Sequence, residues 1–337
     1  MVDYFKTASY FCGTMKNSHL ISFVLSVIFL SSCGIGKTIC ELSLNGPMNG
    51  RDFNDTRNMV EGRYPGINAW YDSLRVEGVF RDTVIKGEGG VDIHAVYAGK
   101  EGSTDAVVLC HGYGVNHIAM LHFARLYRDT LDFNVIVPDL QHHGLSGGAA
   151  ASMGYYDSKD ALRWVNMAHS LWQSDFVMAH GVSMGSATIM MLSGLDNLPW
   201  YLRCFVEDCG YTSVWDQFDF VRRTYTGLNE DALKKADLYC KWHYGWDFRS
   251  ASPLESVSRC DRPMLFIHGN PDNFVPTESV YRLYDAKTRG YKDIWISEGT
   301  NKHAVAYLTN MQDYTDRVKD FVRKVKEMPV ISPELQP

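Results

Sequence analysis

Ser183 stands between Gly181 and Gly185, where the apolar run FVMAH gives way to the helix-forming stretch ATIMML. A G-x-S-x-G pattern at a strand–turn–helix junction predicts a sharp elbow that lifts the serine hydroxyl to the end of a sheet. Side chains at the two glycines would collide with the turn, and the serine backbone itself is expected to be strained. The chemistry this invites is nucleophilic attack. A serine hydroxyl is a poor nucleophile at neutral pH, so a base must lie within hydrogen-bond reach, and an imidazole base needs an acid to fix its tautomer and stabilise its charge.

The surrounding pattern alternates strand and helix signals. Residues 79–86 and 91–98, separated by Gly87 to Gly90, read as an opening antiparallel hairpin. Strands follow over 106–110, 134–138, 175–180, 204–207, 263–268 and 292–297, interleaved with helices over 119–129, 158–171, 184–193, 277–287 and 314–326. Repeated βα units predict an α/β fold with a mostly parallel central sheet flanked by helices, and ligands then bind at the carboxyl ends of the strands. Residues 211–258, rich in Trp, Tyr and Phe, break this rhythm. They read as a helical cap insertion. Its aromatic residues either shape a pocket over the site or pack the insertion onto the domain, and both readings stay open.

At 337 residues with 45% apolar content, the chain can bury one large core. A net charge of −6, spread without blocks, argues against a nucleic-acid partner or a polybasic membrane surface. No internal repeat suggests a solenoid. His111, His142, His143, His180 and His268 fall at strand ends without H-x-x-x-H or H-E-x-x-H spacing, so they read as loop-tying groups, and neither a metal nor a cofactor is expected.

Six segments recur in a telling order: HGYG at His111 to Gly114, PDLQHHGLSGG at Pro138 to Gly148, HGVSMG at His180 to Gly185, DCGYTS at Asp208 to Ser213, FIHGNPDNFVP at Phe266 to Pro276 and NKHAVAY at Asn301 to Tyr307. Together they resemble the serine α/β-hydrolase superfamily, and more closely its bacterial cell-surface or prolyl-oligopeptidase-like branch. The resemblance covers residues 71–326. One departure is Gln141-His142 ahead of His143-Gly144, where the family's structural turn has D-x-x-G-H-G-x-S.

The resemblance implies a triad in the chain order serine, acid, histidine. His303 is the only histidine after His268, so it matches the family's base. Asp272, in HGNPDNFVP after an apolar strand, matches the acid. Asp208, ending the strand CFVED, competes with it, because some members place the acid one strand earlier. Oxyanion donors would be the amides of Met184, which follows the nucleophile, and Tyr113 in HGYG. The implied activity is cleavage of a carboxylic ester through an acyl-enzyme, on a small acyl substrate. Thioesterase, acyltransferase and peptidase activities are enzyme alternatives, and a non-catalytic lipoprotein binding module is the alternative of a different class.

At the amino terminus, Lys16 precedes the apolar run Leu20 to Leu30, which is followed by Ser31, Ser32 and Cys33. Leu30-Ser31-Ser32-Cys33 resembles a bacterial lipobox. Residues 1–32 are therefore expected to be a lipoprotein signal, with Met15 as an alternative start, and Cys33 to carry lipid and anchor an exported protein to the membrane, with the outer membrane favoured. A tether over 33–64, a hydrolase domain over 65–330 and a tail over 331–337 complete the expected organisation. Among the other cysteines, Cys110 and Cys204 read as core residues, and a Cys240–Cys260 bridge stays open.

Overall fold

The computed structural model describes residues 32–46 and 50–330, arranged around an eight-stranded sheet. β1 (Phe80–Lys86) and β2 (Asp92–Ala98) form an antiparallel hairpin at one edge. β3 (Ala106–Cys110), β4 (Asn134–Pro138), β5 (Val177–Val182), β6 (Leu202–Asp208), β7 (Met264–Asn270) and β8 (Lys292–Glu298) run parallel to one another. The spatial order is β1-β2-β4-β3-β5-β6-β7-β8, with β2 antiparallel to β4. Every residue of β3, β4 and β6 is buried, which explains why they read as continuous apolar runs rather than alternating ones.

The helices are α1 (Ser32–Leu44), α2 (Phe53–Arg63), α3 (Ile67–Val76), α4 (Leu121–Arg125), α5 (Asp157–Trp172), α6 (Met184–Ser193), α7 (Val214–Val221), α8 (Glu230–Tyr244), α9 (Pro253–Arg259), α10 (Glu278–Ala286), α11 (Ala306–Thr309) and α12 (Met311–Glu327). Successive strand residues face opposite sides, so they feed two cores. Ala106, Val108 and Cys110 join α5, α6, α9 and α10 in one; Val107 and Leu109 join α3, α4 and α12 in the other. α12 illustrates the sequence logic. Its buried Tyr314, Val318, Phe321, Val322 and Val325 recur at helical spacing on a helix otherwise rich in charge.

Residues 33–64, expected to be a tether, instead hold two helices docked on the domain. Cys40 and Leu44 of α1 and Val60 of α2 are fully or almost fully buried in the two cores. α1 lies tightly on α8: a Cβ on Gly36 would stand 2.6 Å from the Lys235 carbonyl oxygen, and Tyr239 donates to Glu41 at 2.9 Å. α2 starts at the Asp52 cap, whose carboxylate accepts the Asn54 and Asp55 amides at 2.9 and 3.1 Å. Of the signal expected over 1–32, residues 1–31 lie outside the described residues. Cys33 falls in the first turn of α1.

The insertion between β6 and β7 is helical, comprising α7, α8 and α9. Cys40, Cys110, Cys204, Cys209, Cys240 and Cys260 are free and buried, so the Cys240–Cys260 bridge is not formed; Cys240 abuts Cys40 instead. Among the described residues, no helix is long and apolar enough to cross a membrane.

Candidate active site

β5 delivers Ser183 to a turn with φ 57° and ψ −115°, and α6 begins at the next residue. This backbone is strained for a residue with a side chain, as the elbow requires. The flanking glycines are needed for room rather than for φ. A Cβ on Gly181 would sit 2.1 Å from the Gly185 carbonyl oxygen, and one on Gly185 would sit 2.0 Å from that of Cys110. The Ser183 amide donates to the Asp208 carbonyl at 2.8 Å, which ties the turn to the neighbouring strand.

The loop after β8 brings His303 to Ser183, with Nε2 2.8 Å from the serine Oγ. Its Nδ1 meets Oδ2 of Asp272 at 2.7 Å. Asp272 lies in the turn after β7, where its Oδ1 accepts the amides of Phe274 at 2.8 Å and Val275 at 3.0 Å. Burial alone would raise the Asp272 carboxyl, but the charge and hydrogen bond of His303, the nearby His268 and the Phe274 amide hold it below its ordinary value. An ionised acid on Nδ1 keeps the proton there and leaves Nε2 as the acceptor facing the serine. Burial pushes the His268 imidazole below its ordinary value, and the ring meets the Val275 carbonyl at 3.0 Å, stiffening the acid turn.

Asp208 is placed elsewhere: Tyr314 donates to its Oδ2 at 2.9 Å, and burial lifts the carboxyl to about 7. Of the two candidate acids, Asp272 is the one hydrogen-bonded to His303.

Met184 opens α6, where the first amides have no partner within the helix. Gly112 packs against Ser183 closely enough that a Cβ there would be 3.5 Å from the serine Cβ, so the loop carrying Tyr113 passes beside Ser183. Gly114 fixes that loop by donating to His143 Nε2 at 3.1 Å. The Tyr113 ring packs edge-on against His143, with centroids 5.4 Å apart.

A cavity of about 50 Å³ opens on Ser183. Its walls are Gly112, Val115, Ala119, Met120, His122 and Phe123 from the segment after β3, Val182 and Asp208 from the ends of β5 and β6, Ala304 and Tyr307 from the loop after β8 and α11, and Met59, Arg63 and Tyr64 from the end of α2. Those last three were missed in the sequence, although Thr56, Val60 and Tyr64 at helical spacing are the signal that an amphipathic helix lay within the supposed tether. Residues 211–258 contribute nothing to this wall. Trp246 and Phe248 are buried in the core, and Trp246 stacks on Tyr155. Packing, not pocket shaping, is what these cap aromatics do here. The cap touches the site through its hold on the acid turn, where Gln217 donates to the Phe274 carbonyl at 2.9 Å and Tyr225 donates to that of Asn273.

The remaining histidines tie loops and strands. His111 Nε2 accepts the Leu140 amide at 3.0 Å, His142 Nδ1 meets the Gly148 carbonyl at 3.0 Å, and His180 is bracketed by the hydroxyls of Tyr127 and Tyr314. Sequence reasoning also missed a buried network. Asp139 binds His94 Nδ1 at 2.9 Å and His117 Nδ1 at 3.0 Å, and accepts the amides of His117 and Leu145. Donor atoms of these three residues lie within 4.8 Å of one another, as do those of Cys209, Asp272 and His303; among the described residues these are the two groups whose spacing could hold a cation. In the first, both Asp139 oxygens are already engaged by imidazole and amide donors.

No family model matches the chain. It is 29% identical over 249 residues to the uncharacterized protein YqkD of Bacillus subtilis (strain 168), spanning 72% of this chain and 79% of that one. The esterase Pf2001 of Pyrococcus furiosus is similar in structure, with TM-score 0.59 and 19% identity over 74% of this chain and 95% of that one. Est1E from Butyrivibrio proteoclasticus, solved with ferulic acid bound, gives TM-score 0.57 and 16% identity over 73% of this chain and all of that one. With its parallel sheet, its strained serine turn and these likenesses, the chain has the α/β-hydrolase fold.

Proposed function

We propose that this protein is a serine hydrolase that cleaves a carboxylic ester through an acyl-enzyme, with Ser183 as nucleophile, His303 as base and Asp272 as acid. The observation that carries the reading is the hydrogen-bonded path from Ser183 Oγ through His303 to Asp272, at 2.8 and 2.7 Å. His303 Nε2 takes the serine proton as Oγ attacks the carbonyl carbon. Asp272, ionised, stabilises the imidazolium that results. The amides of Met184 and Tyr113 stabilise the oxyanion in a site where Ser183 is only 7% exposed, so few water dipoles compete. His303 then protonates the departing alcohol, and later draws a proton from water as it attacks the acyl-enzyme. Similarity to esterase structures supports an ester before a peptide bond as the substrate.

A fluorophosphonate probe tests this directly. Labelling of the wild type at Ser183 and none in Ser183→Ala is the expected result; a folded wild type that stays unlabelled would support the binding-module alternative. Turnover of p-nitrophenyl esters of increasing chain length then reports the acyl preference.

We also infer lipid attachment at Cys33 and a membrane-anchored, exported protein, supported by the run Leu20 to Leu30 ahead of Leu30-Ser31-Ser32-Cys33. Detergent partitioning of the wild type that is lost in Cys33→Ser is the expected result, and unchanged partitioning would sink it.

A further inference from the structure

α1 and α8 meet face to face, and each brings a cysteine to the contact. A Cβ on Gly36 would stand 2.6 Å from the Lys235 carbonyl oxygen and 2.9 Å from the Lys235 Cβ, so the two backbones approach as closely as glycine permits. Cys40 lies one turn after Gly36 on the same face of α1, and Cys240 lies one turn after Ala236 on α8. Their chain neighbours are joined across the contact, where Tyr239 donates to Glu41 at 2.9 Å. Beside that bond the Cys240 thiol meets the Cys40 thiol. Both side chains are fully buried, in one core.

The remaining buried cysteines are placed differently. Cys260 donates to the Arg262 carbonyl at 3.5 Å, Cys209 stands 4.0 Å from His303 Nε2, and Cys110 and Cys204 lie inside β3 and β6 opposite Gly181 and Met178 of β5. Thiols are weak hydrogen-bond partners, so two of them facing each other gain little polar stabilisation while reduced. Joined, Cys40 and Cys240 would link positions about 200 residues apart, and closing so long a loop removes much of the freedom of the unfolded chain.

We propose that Cys40 and Cys240 are a disulfide pair that staples α1 to α8 once the chain meets a disulfide oxidant, as in the oxidising surroundings of the exported protein inferred above. The thiolate of one cysteine attacks the oxidant's disulfide to form a mixed disulfide, and the thiolate of the other then displaces the oxidant's remaining half. One Sγ–Sγ bond forms, the oxidant's sulfur–sulfur bond breaks, and the two thiol protons of Cys40 and Cys240 pass to the two thiolates released. Exchange takes place before α1 settles, because neither thiol keeps exposed surface once the helices are docked. The same burial shields the finished bond from reduction. The pairing rests on the helix contact, and only its occurrence in the cell rests on export.

The test maps the cysteines of the full chain after free thiols have been blocked with N-ethylmaleimide. Two samples are compared: protein recovered from an exporting bacterial host, and reduced protein incubated with oxidised glutathione just below its urea midpoint, where docked helices open transiently. A peptide containing Cys40 joined to one containing Cys240 is expected in both. The oxidised protein should also unfold at a urea concentration about 1 M higher than the reduced form, a gain reversed by dithiothreitol and missing in Cys240→Ala. The link in either sample upholds the pair, and its absence from the host sample alone counts against export. Both cysteines blocked in both samples, or either of them joined to a different cysteine, overturns the pair.

Discussion

Asp272 and His303 meet through a 2.7 Å hydrogen bond whose carboxyl is held on its other oxygen by the Phe274 and Val275 amides. The acid is thus fixed by backbone and can neither rotate away nor pick up a proton easily. In Asp272→Asn the amide nitrogen can face Nδ1 and force the proton onto Nε2, where it blocks the serine. Turnover of a p-nitrophenyl ester should drop about 1,000- to 10,000-fold with the fold intact. Near-full activity would transfer the acid role to Asp208.

Room at the elbow sets a second expectation. The Gly185 carbonyl lies 2.1 Å from where an alanine Cβ would stand at position 181, and backbone on both sides has no freedom to retreat. Gly181→Ala should therefore abolish fluorophosphonate labelling and lower the unfolding temperature, whereas Gly62→Ala, where a Cβ meets nothing within 4 Å, should do neither.

Much of this site could be read from the chain because its parts are local. The elbow needs only ten residues, and the central strands announce themselves as unbroken apolar runs. His303 followed from chain order, since no other histidine comes after His268. What stayed hidden depends on distant partners. Thr56, Val60 and Tyr64 carry a helical spacing, but α2 has so few apolar residues that only its docking beside the His117–Met120 turn makes it a wall of the cavity. The Asp139 network joins residues 45 and 22 positions apart, which the strand order alone brings together. Asp208 was recognised as a carboxylate at a strand end, yet whether it met His303 or Tyr314 depended on where α12 packs.

Met59 offers a way to check the α2 wall. It borders the cavity from outside the segments that resemble known hydrolases. Met59→Trp should fill part of the 50 Å³ and shorten the longest p-nitrophenyl ester accepted, with labelling by a small fluorophosphonate retained. An unchanged chain-length profile would remove α2 from the acyl site.

Leu44 measures how firmly α1 is docked. It is fully buried against the cap and sheet, and Leu44→Ala should cost about 2 to 5 kcal/mol in denaturant unfolding, the range for leucine truncation in a packed core. A loss below about 1 kcal/mol would mean that α1 is a dispensable appendage after all.

Stability should also fall as pH rises above neutral, because buried carboxyls lose protons they hold only in the native state. Burial lifts Asp208 to about 7 and Glu207 to about 8, from ordinary values of 3.8 and 4.5. Between those values the folded protein binds protons that the unfolded chain has released, so their stabilising effect is complete below the ordinary values and is lost as pH climbs through 7 and 8. The buried imidazoles of His143 and His180, both lowered to about 3, work in the opposite sense, but their contribution ends near the ordinary value of 6.5. Above 6.5 the carboxyls are joined by His94, which burial would lower but whose imidazole Asp139 and Asp82 hold above its ordinary value, so that it acts in the same sense. The unfolding temperature is therefore expected to decline from pH 6.5 to 8.5, and Glu207→Gln, which keeps an acceptor for the Ser186 hydroxyl, should flatten that decline. A slope that is unchanged in Glu207→Gln would show that Glu207 is ionised in the native state despite its burial.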